Sequence, residues 1–132
     1  VLASQGFELT ELRVADYAQL TANGIVTSEM TITNEPELIR SMARALARGI
    51  ADTIANPDEA YTISLKFVEN LKDQDKDVQM QVLKTSIEFW QAERIGFSEP
   101  QAWENMNELL VKMCLISEPV DLSKAFTNEF IP

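Results

Sequence analysis

The sequence predicts a mainly α chain with a minor β component, built from four to five helices and about two strands. Three observations predict it. From residue 34 onward, apolar residues recur at helical spacing. Proline beside a capping residue marks several helix starts. The first third instead carries alternating, β-branched stretches of the kind that read as strands.

In chain order, residues 10–16 alternate with Leu12 and Val14 on one side and predict the first strand. A polar, turn-prone stretch follows from Tyr17 to Asn23-Gly24. Residues 25–32 then alternate Val26, Ser28, Met30 and Ile32 and predict the second strand. Asn34 is the expected N-cap of a helix over 35–55, with Pro36 in its first turn and Glu37 at the capping-box position. Leu38, Ile39, Met42, Ala45, Leu46, Ile50 and Ile54 form its apolar stripe. Asn56-Pro57-Asp58-Glu59 stops that helix and starts another, which carries Ala60, Ile63, Phe67 and Leu71 on one face. A third helix is predicted over 75–93. Ser98-Glu99-Pro100-Gln101 is expected to cap a fourth over 99–115, and Glu118-Pro119 to break it. The helix starts follow no fixed period, which excludes a helical-repeat solenoid.

Composition removes much chemistry. The 132 residues amount to one domain's worth of chain, and no apolar run approaches the roughly 20 residues that span a bilayer. The chain opens on Val1 rather than Met, which reads as a mature product or an excised piece. Without histidine there is no Ser-His-Asp triad, no Cys-His pair and no imidazole metal ligand. The lone Cys114 allows neither an internal disulfide nor a thiolate zinc site, and reads as a buried small hydrophobe. With 21 acidic against 11 basic residues the net charge is −10, the wrong sign for phosphate-backbone binding. No nucleic-acid partner is expected, and no cofactor or catalytic centre is read.

Several clusters have ordinary readings. Asp73, Asp75 and Asp77 are spaced like calcium-loop ligands, but the template's glycine and glutamate positions hold Val78 and Lys84. These carboxylates suit a helix N-terminus instead. Arg40, Arg44 and Arg48 form a basic ridge opposite the Met42/Leu46/Ile50 face that could contact an acidic partner or neutralise neighbouring carboxylates, and whose plainer reading is a solvated face. Trp90 and Trp103, with Phe67, Phe89 and Phe97, could stack on a ligand ring, but at helical spacing among aliphatics they read as core.

An ordered series of short runs extends across nearly the whole chain. It comprises Arg13-Val14-Ala15-Asp16-Tyr17, Asn23-Gly24-Ile25-Val26, Asn34-Glu35-Pro36-Glu37-Leu38 and Arg44-Ala45-Leu46-Ala47-Arg48-Gly49. It continues through Ala55-Asn56-Pro57-Asp58-Glu59-Ala60, Gly96-Phe97, Trp103 and Phe126-Thr127-Asn128-Glu129-Phe130-Ile131-Pro132. The series resembles the C-terminal part of the periplasmic-binding family that includes nitrate/sulfonate/taurine-type and thiamine-pyrimidine-precursor-binding proteins. The resemblance implies a two-lobed α/β fold (type II) with a cleft for a small-molecule ligand, located outside the cytoplasm and serving a membrane permease of an ABC transporter. Residues 1–33 would then be a strand-containing lobe-junction segment, and 34–132 the helical C-terminal segment of one lobe.

Ligands of α/β folds gather at strand ends, so Asp16, Tyr17, Asn23 and Gly24 are the candidate ligand-binding residues. The plainer alternative is that Asp16 and Asn23 satisfy loop backbone groups. Two other functions stay open: a fragment of a pyrimidine-precursor synthase-like enzyme, whose family chemistry uses a histidine that is missing here, and a stand-alone helical interaction module. Strands shaped for an absent sheet would leave apolar surface and edges uncovered. Self-association is therefore expected, as a homodimer or higher oligomer with Val26, Met30 or Ile32 at the contact.

Overall fold

No strand occurs among the described residues, which are Leu2 and residues 6–132 of this computed structural model. Both expected strands are therefore corrected. Within 10–16 the backbone makes only a 3-10 turn, Val14–Asp16, closed by the Tyr17 N–H donating to the Val14 carbonyl at 3.0 Å. Within 25–32 the helix α1, Glu29–Asn34, replaces the β alternation. The reason is local. A strand needs a neighbour for its backbone groups, whereas Ser28 supplies an N-cap by accepting from the Thr31 N–H at 3.1 Å. The Thr33 hydroxyl then donates back to the Glu29 carbonyl. With α1 in place, Asn34 lies inside a helix, and the cap of the next helix moves one residue on. The Glu35 carbonyl accepts its first hydrogen bonds, from the Leu38 and Ile39 N–H groups.

The remaining helices are α2 (Pro36–Ala55), α3 (Pro57–Ser64), α4 (Lys76–Trp90), α5 (Pro100–Lys112) and α6 (Leu122–Ala125). Asn56 caps α3 as expected: its carboxamide oxygen accepts from the Glu59 N–H, and its amide donates to the Glu59 carboxylate at 3.1 Å. That helix ends at Ser64 rather than continuing to Leu71, because 3-10 bonds tighten its end and Asn70 adopts a left-handed conformation with φ 60°. Asp75 caps α4 through the Val78 N–H at 3.0 Å, and Asp77 lies in the first turn, so the aspartate run serves a helix start.

The chain divides into two compact units. In the unit containing residues 44–95, α3 packs on α4, burying Tyr61, Met80 and Ile87. The Lys76 ammonium lies 6.0 Å from the Tyr61 ring centre.

The unit formed by residues 11–43 and 96–132 is held by its last segment. Phe126 stacks on Trp103 of α5, with ring centres 4.9 Å apart and planes within 4°. Asn128 brackets the backbone of Ser98, accepting its N–H and donating to its carbonyl, both at 2.9 Å. This contact replaces the expected Ser98 cap: Glu99 is the N-cap residue of α5 and makes no side-chain capping bond. Buried Asn107 brackets Val120 in the same way, at 3.0 and 3.1 Å. Phe130 is buried beneath the Arg40 guanidinium, 5.2 Å from the ring centre, and Arg40 pairs with Glu37 and Glu129. Gly96 has φ +85°, and an added Cβ would stand 3.5 Å from Ile131.

The C-terminal end of α5 is a Schellman motif. The Leu115 N–H donates to the Leu110 carbonyl and the Cys114 N–H to the Val111 carbonyl. Cys114 takes the left-handed position, φ 57°, that glycine usually fills. Its thiol-bearing residue is exposed, not a buried hydrophobe.

Two outcomes are expected. Asn128→Ala strips both Ser98 backbone groups of their partner and destabilises the unit by about 1–3 kcal/mol; urea denaturation followed by tryptophan fluorescence measures it. The second concerns Asp121, which caps α6 and whose carboxyl is held below the ordinary aspartate value. The main cause is the hydrogen bond from the Ser123 hydroxyl (2.6 Å), followed by that from the Ser123 N–H. A lowered folded-state value makes this cap fully stabilising above the unfolded aspartate value and lost as pH falls through the folded one. In an NMR titration, Ser123→Ala should move the Asp121 carboxyl back up toward the ordinary value.

Candidate functional site

The four candidate residues lie on one exposed stretch before α1. Asp16 closes the 3-10 turn, its N–H donating to the Arg13 carbonyl at 3.0 Å. Tyr17 follows with 82% of its surface accessible. Asn23 and Gly24 are exposed in irregular backbone, and space is open where a Cβ on Gly24 would stand. The pairs are linked through the chain between them, where the Asn105 carboxamide of α5 donates to the Gln19 carbonyl at 2.9 Å. The arrangement presents a carboxylate and a phenol on a turn, then a carboxamide and an unobstructed glycine.

A concave surface in the same unit was not foreseen from sequence. Glu104, Asn107, Glu108, Val111 and Lys112 of α5, with Pro119 and Leu122, line an open groove of about 420 Å³. None of the four candidates lines it. Its polar floor is already engaged, since the Asn107 carboxamide spends both its donor and its acceptor on Val120. On its rim Lys112 pairs with Glu108 at 3.5 Å. The groove therefore offers apolar contact with little directional recognition. Only the return of the chain at Pro119 creates it, and nothing in the local pattern of α5 signals that return.

Among the described residues no group of three carboxylates or thiols converges as a metal-ligand set. No helix among them is long and apolar enough to cross a membrane. The basic ridge is engaged with the chain's own carboxylates at two points, Arg40 as above and Arg48 with Asp52 at 3.6 Å. Of the aromatics expected in the core, Trp103 enters a packed stack, while Phe67, Phe89, Trp90 and Phe97 are exposed.

Residues 1–60 match the family model described as NMT1/THI5 like. The chain is 45% identical over 136 residues to the riboflavin-binding protein RibY of Chloroflexus aurantiacus, an alignment covering 99% of this chain and 39% of that one. Over residues 1–60 the chain is similar to the NMT1/THI5-like proteins. A second relative is the 4-amino-5-hydroxymethyl-2-methylpyrimidine phosphate synthase of Legionella pneumophila, 25% identical over 107 residues, 81% of this chain and 32% of that protein. The chain thus spans under two-fifths of the length of these relatives. No solved structure matches it. Of these two relatives one is named a binding protein and the other a synthase, and the more similar is the binding protein.

Proposed function

We propose that this chain is part of an extracytoplasmic substrate-binding protein that delivers a small heteroaromatic molecule, of riboflavin type, to an ABC-type membrane permease. The supporting observation is the 45% identity to a riboflavin-binding protein across 99% of the chain. In this reading Tyr17 stacks on the ligand ring and Asp16 and Asn23 hydrogen-bond its polar edges. Gly24, with nothing near its Cβ position, lets the ligand approach the backbone. Small-ligand sites gain affinity by enclosing most of the ligand surface, and this chain supplies one wall.

Riboflavin fluorescence is the direct readout. A polypeptide of the relatives' length that contains this sequence should quench it with micromolar or tighter affinity. Tyr17→Ala should weaken that binding by roughly fivefold, the loss of one aromatic contact worth about 1 kcal/mol. The 132-residue chain alone should not bind measurably. Micromolar binding by this chain alone, or a longer polypeptide that binds neither riboflavin nor a thiamine pyrimidine precursor, overturns the proposal, as does one that binds taurine instead. Formation of a pyrimidine phosphate by the longer polypeptide would instead favour the enzyme reading that the synthase relative represents.

The isolated chain is proposed to self-associate through the segment around α1, where Val26 and Met30 are 94% and 70% exposed and Ile32 is half-buried. A homodimer is expected by light scattering at micromolar concentration. Val26→Asp with Met30→Asp should return the mass to 14.9 kDa. A mass of 14.9 kDa without any substitution counts against association.

A further inference from the structure

The sequence holds seven asparagines, and of these Asn23 alone is followed by glycine. Asparagine is among the thermolabile residue types, because the backbone nitrogen of the next residue can attack its side-chain carbon. Nucleophile and target sit on adjacent residues, so the attack is intramolecular and needs only a free amide and a clear approach. At the other six asparagines the following amide is not free. Pro57, after Asn56, has no N–H. The Glu35 N–H donates to the Thr31 carbonyl at 2.9 Å and the Leu71 N–H to the Val68 carbonyl at 3.4 Å. The Glu129 N–H donates to the Thr127 hydroxyl at 3.1 Å. Those of Met106 and Glu108 lie inside α5 and are held by its helical bonds. Asn23-Gly24 differs on every count. Both residues are exposed in irregular backbone. Among the described residues neither the Asn23 carboxamide nor the Gly24 N–H has a hydrogen-bond partner. Glycine puts no side chain in the path of attack, and nothing lies within 4 Å of where a Cβ on Gly24 would stand.

We infer that Asn23-Gly24 is a site of spontaneous covalent modification, at which the asparagine becomes aspartate or isoaspartate. The Gly24 nitrogen bonds to the Asn23 Cγ as the Cγ–Nδ2 bond breaks, and the displaced group leaves as ammonia with the Gly24 proton. The product is a cyclic succinimide, which water then opens. Breaking the new N–Cγ bond leaves an ordinary aspartate. Breaking the original peptide bond leaves isoaspartate, with the chain routed through the side-chain carbonyl and lengthened by a methylene. Water is consumed and ammonia released in equal amounts, with no oxidant or reductant. Either product replaces a carboxamide, which donates and accepts, with a carboxylate, which only accepts. The chain also gains one negative charge beyond its −10. On the functional reading, which this inference does not need, the change removes a hydrogen-bond donor from the ligand contacts.

Incubation of the 132-residue chain at mildly alkaline pH, followed by tryptic peptide mass spectrometry, tests it. Cleavage after Arg13 and Arg40 puts Asn23 and Asn34 on one peptide, so fragmentation compares the free site with a helical one. Asn23 should convert faster than Asn34 by roughly fivefold or more, the factor that one hydrogen bond of about 1 kcal/mol on the attacking amide represents. Isoaspartate should appear beside aspartate, which direct hydrolysis of the side chain does not produce. Gly24→Ala should slow the conversion by crowding the attack. Gly24 lies outside the left-handed region, so its backbone accepts alanine without strain. Equal conversion of Asn23 and Asn34, aspartate as the sole product, or an unchanged rate in Gly24→Ala overturns the inference. A riboflavin titration of the longer polypeptide separates the two proposals. Riboflavin binding there with no isoaspartate in this chain overturns this inference alone, and isoaspartate at Asn23 with no ligand binding overturns the functional reading alone.

Discussion

Backbone groups outside helices must find hydrogen-bond partners when water is excluded, and in the last third of this chain two asparagine carboxamides provide them. Asn128 takes both groups of Ser98, and Asn107 takes both groups of Val120. A carboxamide suits this task because it offers a donor and an acceptor side by side, the same pair that a neighbouring strand would present. Each bracket therefore does for one residue what a sheet does for many. The stacking of Phe126 on Trp103 and the burial of Phe130 beside Arg40 follow once those two anchor points are set.

The same requirement explains why segments with a β pattern fold without strands. Residues 10–16 and 25–32 have no neighbouring strand among the described residues, so their backbone groups settle locally, in a 3-10 turn and a six-residue helix. β-branched alternation describes how side chains fit a pleated, half-buried surface. It does not supply the missing partner. Here one hydroxyl, Ser28, and three hydrogen bonds over the turn decide the matter.

Features decided within four or five residues were legible in the sequence. The helix starts at Asn56 and Asp75 are examples, since cap and capped amide lie three residues apart and propensity sets both. Features decided across the chain were not. Ser98 has the composition of a cap, but Asn128, thirty residues away, claims its backbone instead. Cys114 looked like core because it closes an apolar run, whereas the Schellman geometry turns it outward. The groove on α5 depends on where Pro119 returns, which no local pattern encodes. The candidate ligand residues were found through family resemblance and an expected strand end. The strand is absent, and the exposed turn that replaces it still presents Asp16 and Tyr17 outward.

These long-range contacts bear on the candidate residues themselves. Asn105, on α5, holds the Gln19 carbonyl between the Asp16-Tyr17 and Asn23-Gly24 pairs. The position of α5 is in turn set by Asn128 at the segment preceding its first turn and by Phe126 on its Trp103 face. The path from the tail to the exposed loop is thus a short series of named contacts within one compact unit. An exposed loop can present groups to a ligand only if its backbone is held in place. The Phe126-Thr127-Asn128 segment touches none of the four candidates in sequence, yet it supports the helix that anchors the loop between them. That gives this tail a structural reason to accompany the loop: the tail fixes α5, and α5 fixes the loop.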